Sequence, residues 1–166
     1  MELELLDLGG TINGLLAPDD PPPERSRVAT YLSAHADRLG IRCYAGWCDM
    51  KDSRAVTDED RERLRDEIRR STRRHILVAH GTVTLVETAR KLSASGVAER
   101  AGVSVVVVGS MIPLEEPDSD APANLDFAIE QLHSAPAGVW VAMNGVLWPP
   151  QAVEKDTTTG EFRRVQ

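Results

Sequence analysis

The chain has 166 residues, 42% of them hydrophobic, 27% charged and 4% aromatic. That length suits one domain with a substantial buried core. A formal net charge of −7 counts against nucleic-acid or anionic-membrane partners, which need a clustered positive field, and no apolar run approaches the roughly 20 residues of a membrane span.

The N-terminal stretch MELELLDLGG has no basic leader region and reads directly as a strand, Leu3 to Leu8, ending at Gly9-Gly10. Asp19-Asp20-Pro21-Pro22-Pro23 follows, and consecutive prolines remove amide donors and favour extended backbone, so no helix crosses here. Val28, Tyr31, Leu32, His35 and Leu39 recur at helical spacing and predict a helix closed by Gly40. Ile41 to Trp47 is a second strand. Thr57 before Asp58-Glu59-Asp60 predicts a helix N-cap with acidic residues at the positive end of the dipole, and Leu64 and Ile68 give that helix its buried stripe. The arginines between Arg61 and Arg74 alternate with Asp and Glu, as on a solvated helix face.

HILVA, His75 to Ala79, is the third strand, and Leu85, Val86, Ala89 and Leu92 mark the helix after it. SVVVV, Ser104 to Val108, has the near-continuous β-branched pattern of a strand buried on both faces. Leu125, Ala128, Ile129 and Leu132 form another helical stripe, and VWVAM, Val139 to Met143, a fifth strand. From Asn144 onward, Trp148-Pro149-Pro150 and Thr157 to Gly160 predict an irregular tail or a small hairpin. Cys43 and Cys48 fit neither a disulfide scaffold nor a usual zinc spacing. As unpaired thiols of a reducing compartment, they agree with a cytoplasmic protein.

Strands alternating with helices predict one α/β domain over residues 1–166: three layers, with a mostly parallel sheet of about five strands and helices on both faces, flavodoxin- or Rossmann-like. Such sheets bind ligands beyond the carboxyl ends of their strands. The informative residues are therefore Gly9-Gly10-Thr11, Asp52-Ser53, His80-Gly81-Thr82, Gly109-Ser110-Met111 and Asn144. Gly9-Gly10-Thr11-Ile12 lacks the third glycine of a dinucleotide fingerprint and the Gly-Lys-Ser/Thr of a Walker A loop, so nucleotide binding loses its main support. Thr11 and Thr82 would stand at the mouths of strands that are commonly neighbours. His80 reads first as a packed, hydrogen-bonded residue rather than a base. Lys155 is the one lysine with a plausible route back to two hydroxyls that need activation.

In colinear order, these residues resemble the bacterial-type L-asparaginases. Gly9-Gly10-Thr11-Ile12 is similar to the family's nucleophile turn, Asp52-Ser53 to its substrate-binding segment, and His80-Gly81-Thr82-Val83-Thr84 to its His-Gly-Thr-Asp-Thr. Val108-Gly109-Ser110-Met111-Ile112-Pro113 resembles Val-Gly-Ala-Met-Arg-Pro, and Ser119-Asp120-Ala121-Pro122-Ala123-Asn124-Leu125 resembles Ser-Asp-Gly-Pro-Ala-Asn-Leu. Met143-Asn144 and Val153-Glu154-Lys155 lie where the family has Met-Asn-Asp/Gly and its catalytic lysine. The resemblance runs over about residues 5 to 160. It implies hydrolysis of a small-molecule or side-chain amide, with Thr11 as nucleophile, an acyl-enzyme intermediate, and Thr82 and Lys155 as the second hydroxyl relay. It also implies substrate contacts from Ser53, Gly10, Gly81, Ser110 and the residue at position 83, no metal, no organic cofactor, and assembly into dimers or tetramers.

Three departures qualify it. Val83 stands where the family has the aspartate that meets the substrate's ammonium group, so the expectation is an altered substrate or reduced asparagine activity. The segment Asn13 to Arg27 has no tyrosine where the family's mobile lid supplies one, and Tyr31 falls on a helix's apolar stripe and reads as core. The sequence stops before the family's C-terminal domain, so the expectation is a short, single-domain branch. A catalytically silent binding or assembly module on the same scaffold is the alternative that these losses support.

Overall fold

Alternation along the aliphatic runs divides the core in two. In the computed structural model, which describes residues 1–166, the strands are β1 (Glu2–Gly9), β2 (Arg42–Lys51), β3 (His75–Ala79), β4 (Ser104–Val108), β5 (Gly138–Met143) and β6 (Val146–Trp148). They form one sheet in the order β2-β1-β3-β4-β5-β6, with every pair parallel except β5 and β6. On β4, Val105 and Val107 face one cluster while Val106 and Val108 face the other, because side chains along a strand point to opposite faces in turn.

The first face packs Leu64 and Ile68 of α3 (Asp58–Arg70), Leu85, Ala89 and Leu92 of α4 (Leu85–Ser95) and Val97 of α5 (Val97–Ala101). The second packs Val28 and Leu32 of α1 (Arg27–Ala34) and Leu125, Ala128, Ile129 and Leu132 of α6 (Ala121–Leu132). The expected three-layer α/β architecture is present. No helix is long and apolar enough to cross a membrane.

Several local readings hold and several need correction. Thr57 caps α3 in a full capping box with Asp60, each side chain bonding the other's backbone amide. The helix expected to run to Gly40 breaks at His35, leaving the short α2 (Ala36–Leu39), which Gly40 closes in the left-handed conformation. The sheet has a sixth, antiparallel strand, because the left-handed Asn144-Gly145 turn folds β6 back onto β5. Beyond it, β7 (Val153–Lys155) and β8 (Phe162–Arg164) form a separate antiparallel hairpin. That hairpin packs Val153 and Phe162 into the first core.

Arg61 departs from the solvated arginine face. It is 7% exposed, and its Nε donates to the Thr88 hydroxyl at 2.9 Å. The Thr88 hydroxyl meets Nε2 of the fully buried His80 at 2.8 Å, and His80 Nδ1 meets the Gly81 carbonyl at 2.8 Å. A carbonyl can only accept, so Nδ1 carries the proton, Nε2 accepts from Thr88, and the imidazole is neutral. Burial pushes its pKa from 6.5 down to about 4. His80 is thus the structural residue its position suggested, and it pins the start of the loop that leads into α4.

This sets a pH dependence. Because the folded value is depressed, the unfolded chain takes up the proton first, so stability is lost as pH falls from 6.5 through about 4. The full loss is roughly 3 kcal/mol at about 1.4 kcal/mol per pKa unit. Denaturant midpoints between pH 7 and pH 4 should show this component in the native protein and lack it in His80→Gln.

Candidate active site

The carboxyl ends of β1, β2 and β3 meet where the strand order reverses, the position at which open α/β sheets place ligands. β1 is followed by a single 3-10 turn, Thr11–Asn13, β2 by another, Ser53–Ala55, and β3 by the loop that enters α4. Two register shifts let the longer β2 keep pace with β1, pairing Leu5 with Ala45, Asp7 with Cys48 and Gly9 with Lys51. They bring Asp52-Ser53 beside the first turn, and the Gly10 amide donates to the Lys51 carbonyl at 3.0 Å.

Two glycines make this convergence possible. A Cβ on Gly10 would lie 2.2 Å from the Gly81 Cα, and Gly10 also has φ of +84°. A Cβ on Gly81 would lie 2.7 Å from the Ser53 Cβ. Any side chain at either position would drive the three turns apart. The contact sets Thr11, half-buried, and Thr82, 5% exposed, one residue beyond touching backbones.

Lys155 reaches the site from the far hairpin. Its Nζ donates to Thr82 Oγ1 at 2.8 Å across 73 residues of chain. Burial pulls the Lys155 pKa down, since the ammonium is partly desolvated. The hairpin is held by Arg90 of α4, whose Nε donates to the Pro150 carbonyl at 3.0 Å and whose Nη2 donates to the Val153 carbonyl at 2.6 Å. Nothing in the sequence flags Arg90, which contacts only backbone.

Ser53 is 2% exposed, and its hydroxyl accepts from the Thr84 amide at 3.2 Å. The Thr84 hydroxyl returns a 2.7 Å bond to the Ser53 carbonyl. The Ser53 hydroxyl proton therefore remains available to a ligand. Ser110 is also buried, but its hydroxyl donates to the Ile112 carbonyl at 2.7 Å and shapes its own loop. The Asp120 carboxylate supports that loop by accepting from the Met111 and Ile112 amides, and Asn124 Nδ2 donates to the Gly109 carbonyl at 3.0 Å.

Val83 is 56% exposed, a large apolar side chain left bare beside Thr82. The neighbouring acid, Asp52, is already committed: both its oxygens accept from the Arg54 guanidinium, at 2.9 and 2.8 Å, and the Arg54 amide adds a third bond. Those bonds hold the Asp52 carboxyl below the usual carboxylate range. Arg54 also donates to the Leu16 carbonyl at 2.9 Å, tying the loop after the Thr11 turn to the second turn. The tyrosine read as core, Tyr31, packs at the edge of the second cluster while its hydroxyl donates to Asp126 at 2.7 Å. No group of three or more His, Cys, Asp or Glu side chains is arranged to hold a metal ion.

This arrangement can be set beside known proteins. Residues 2–163 match the model of the N-terminal domain of asparaginase. A stretch of 67 residues, 40% of this chain and 20% of the relative, is 40% identical to an L-asparaginase from Thermococcus kodakarensis. The solved thermostable L-asparaginase from Thermococcus kodakarensis superposes on 99% of this chain with a TM-score of 0.82 and 26% identity. L-asparaginase I from Vibrio cholerae matches 98% of the chain, with a TM-score of 0.79 and 25% identity. A probable cytoplasmic L-asparaginase from Campylobacter jejuni matches 93%, with a TM-score of 0.75 and 25% identity. The chain spans about half the length of these structures: 51%, 51% and 49% of them. With nearly its whole length matched in sequence and in fold, the chain belongs to the asparaginase family, through its N-terminal domain.

Proposed function

We propose that the chain is an asparaginase-like amidohydrolase acting on small-molecule or side-chain amides that carry no free ammonium group beside Val83. The observation that carries this reading is the 2.8 Å bond from Lys155 to Thr82. A partly desolvated lysine on a buried hydroxyl is a base held in place, and it arrives from a remote part of the chain.

In the proposed reaction Thr11 Oγ attacks the amide carbon. Its proton passes to the Thr82 hydroxyl as the Thr82 proton passes to the Lys155 amine. Backbone amides of the Gly10 and Gly81 turns stabilise the oxyanion. The proton returns to the leaving nitrogen, the C–N bond breaks, and water then cleaves the Thr11 ester by the same relay. Ser53 donates to the substrate's carboxylate end.

The charges around the site support the altered preference. Asp52 is bound to Arg54 and Asp120 to the amides of its loop, so neither is free to meet a cation. Val83 offers carbon. A deaminated, N-acylated or peptide-linked relative of asparagine fits such a site, and free asparagine would bring an uncompensated ammonium. The same reading carries assembly into a cytoplasmic homodimer or homotetramer, consistent with the free thiols of Cys43 and Cys48.

Incubation with an activated ester of succinic acid should leave a succinyl adduct on Thr11, detected by peptide mass spectrometry. Its rate should rise with pH through the depressed value of Lys155 and vanish in Lys155→Met. An unmodified Thr11, with no amidase activity across succinamate and N-acyl asparagine, would instead favour the silent binding module. Val83 is 56% exposed, so Val83→Asp offers a substrate ammonium a solvent-screened partner worth about 1 kcal/mol. It should therefore raise kcat/KM for free asparagine by roughly fivefold while lowering it for succinamate. Sedimentation at micromolar concentration should show a species larger than the monomer, and a single monomer boundary would remove the assembly claim.

A further inference from the structure

Of the three acidic residues of β1, Glu2, Glu4 and Asp7, only Asp7 is buried, at 1% exposed. Its Oδ1 accepts from the Gly9 amide at 2.8 Å and from Asn13 Nδ2 at 2.9 Å. Its Oδ2 accepts from the same Asn13 nitrogen at 3.1 Å and from the Ser26 hydroxyl. These donors belong to three places: the end of β1, the turn that carries Thr11, and the N-cap of α1. Asn13 then uses its Oδ1 to accept the Arg27 amide at 2.8 Å, and Ser26 accepts the Ala29 amide at 2.9 Å. The loop that leaves the turn at Asn13 and returns at Ser26 is thus closed at both ends on a single carboxylate.

We propose that Asp7 is the positioning residue of the nucleophile turn, its buried carboxylate clamping Asn13 and Ser26 together and so fixing where Thr11 stands. The catalytic significance rests on the reading of Thr11 given above; the clamp itself does not. An ionised carboxylate is the one side chain of this size that accepts from all these donors at once. The protonated acid turns one acceptor into a donor and faces groups that can only donate or already do.

The charge has no cation against it. From β2 the facing groups are Cys48, whose thiol is pushed up by burial and then by Asp7 and Asp49, and Lys51, which pairs with Asp49 and Asp60. From α1 comes Arg27, whose guanidinium pairs with Glu115. Burial raises the Asp7 carboxyl above 3.8, against the lowering by Ser26, Gly9 and Asn13. The closed turn therefore binds the Asp7 proton more tightly than an opened, hydrated turn does, so acid favours closure, and removal of the carboxylate rather than its protonation tests the clamp.

Amide hydrogen exchange on the full chain tests this without any substrate. In the native protein, protection factors at Gly9, Asn13, Gly14 and Leu15 should hold or rise as pH drops from 7 towards the raised Asp7 value. In Asp7→Asn they should be at least tenfold lower at pH 7 and flat with pH, with β3 and β4 unchanged. Ser26→Ala, which removes one donor from the carboxylate and the cap from the Ala29 amide, should loosen Leu15, Arg27 and Ala29 with β3 and β4 unchanged, and decides the matter if Asp7→Asn does not fold. Variants whose turn amides keep the native protection, or that loosen turn and sheet equally, would overturn the clamp. Failure of Thr11 to be acylated with the exchange pattern intact would count against the amidase reading only.

Discussion

The whole site hangs on backbone meeting backbone at Gly10 and Gly81. β1 and β3 are adjacent, so their carboxyl ends lie one strand spacing apart, and the loops that leave them must either diverge or touch. Here they touch, because a Cβ on Gly10 would sit 2.2 Å from the Gly81 Cα. The contact brings two hydroxyl-bearing turns together without spending any side chain on doing so. The side chains are left for chemistry.

Around that contact, polar groups are buried in sequence-distant pairs, each with a partner. His80 and Arg61 share Thr88, Thr84 and Ser53 exchange bonds, Asn124 holds Gly109, and Asp7 gathers Asn13 and Ser26. A buried polar group is costly unless satisfied, so each such pairing makes the local geometry the cheap one and alternatives expensive. Precision in the loops is therefore maintained by the same networks that keep the sheet's end from being a purely apolar core.

The layers were legible because period-two alternation and β-branched runs announce buried strands, and Ser104 to Val108 reads as buried on both faces because it is. The Thr57 cap was legible from its acidic first turn. The break at His35 and the sixth strand were not: no proline or glycine marks the first, and the second depends on Asn144 adopting a left-handed turn. At the site, the threonines, Ser53 and Lys155 were visible through motif order. The commitment of Ser110 to its own loop was hidden, since whether a hydroxyl faces a ligand or a carbonyl depends on tertiary placement. Arg54 carried a signal in its position next to Asp52, and Asp7 carried one as a charge among leucines. Arg90 carried none, because it acts on carbonyls sixty and sixty-three residues away.

The Lys155 amine that bonds Thr82 is borne on a two-stranded ribbon outside the main sheet, held by Arg90 on main-chain oxygens and by Val153 and Phe162 in the core. All parallel strands and the helices between them are already present by Met143, before this lysine has been added to the chain. During synthesis both threonines thus enter the chain long before the amine that bonds Thr82. The Lys155–Thr82 bond therefore closes only once the ribbon, which follows every parallel strand in the chain, packs Val153 and Phe162 into the core.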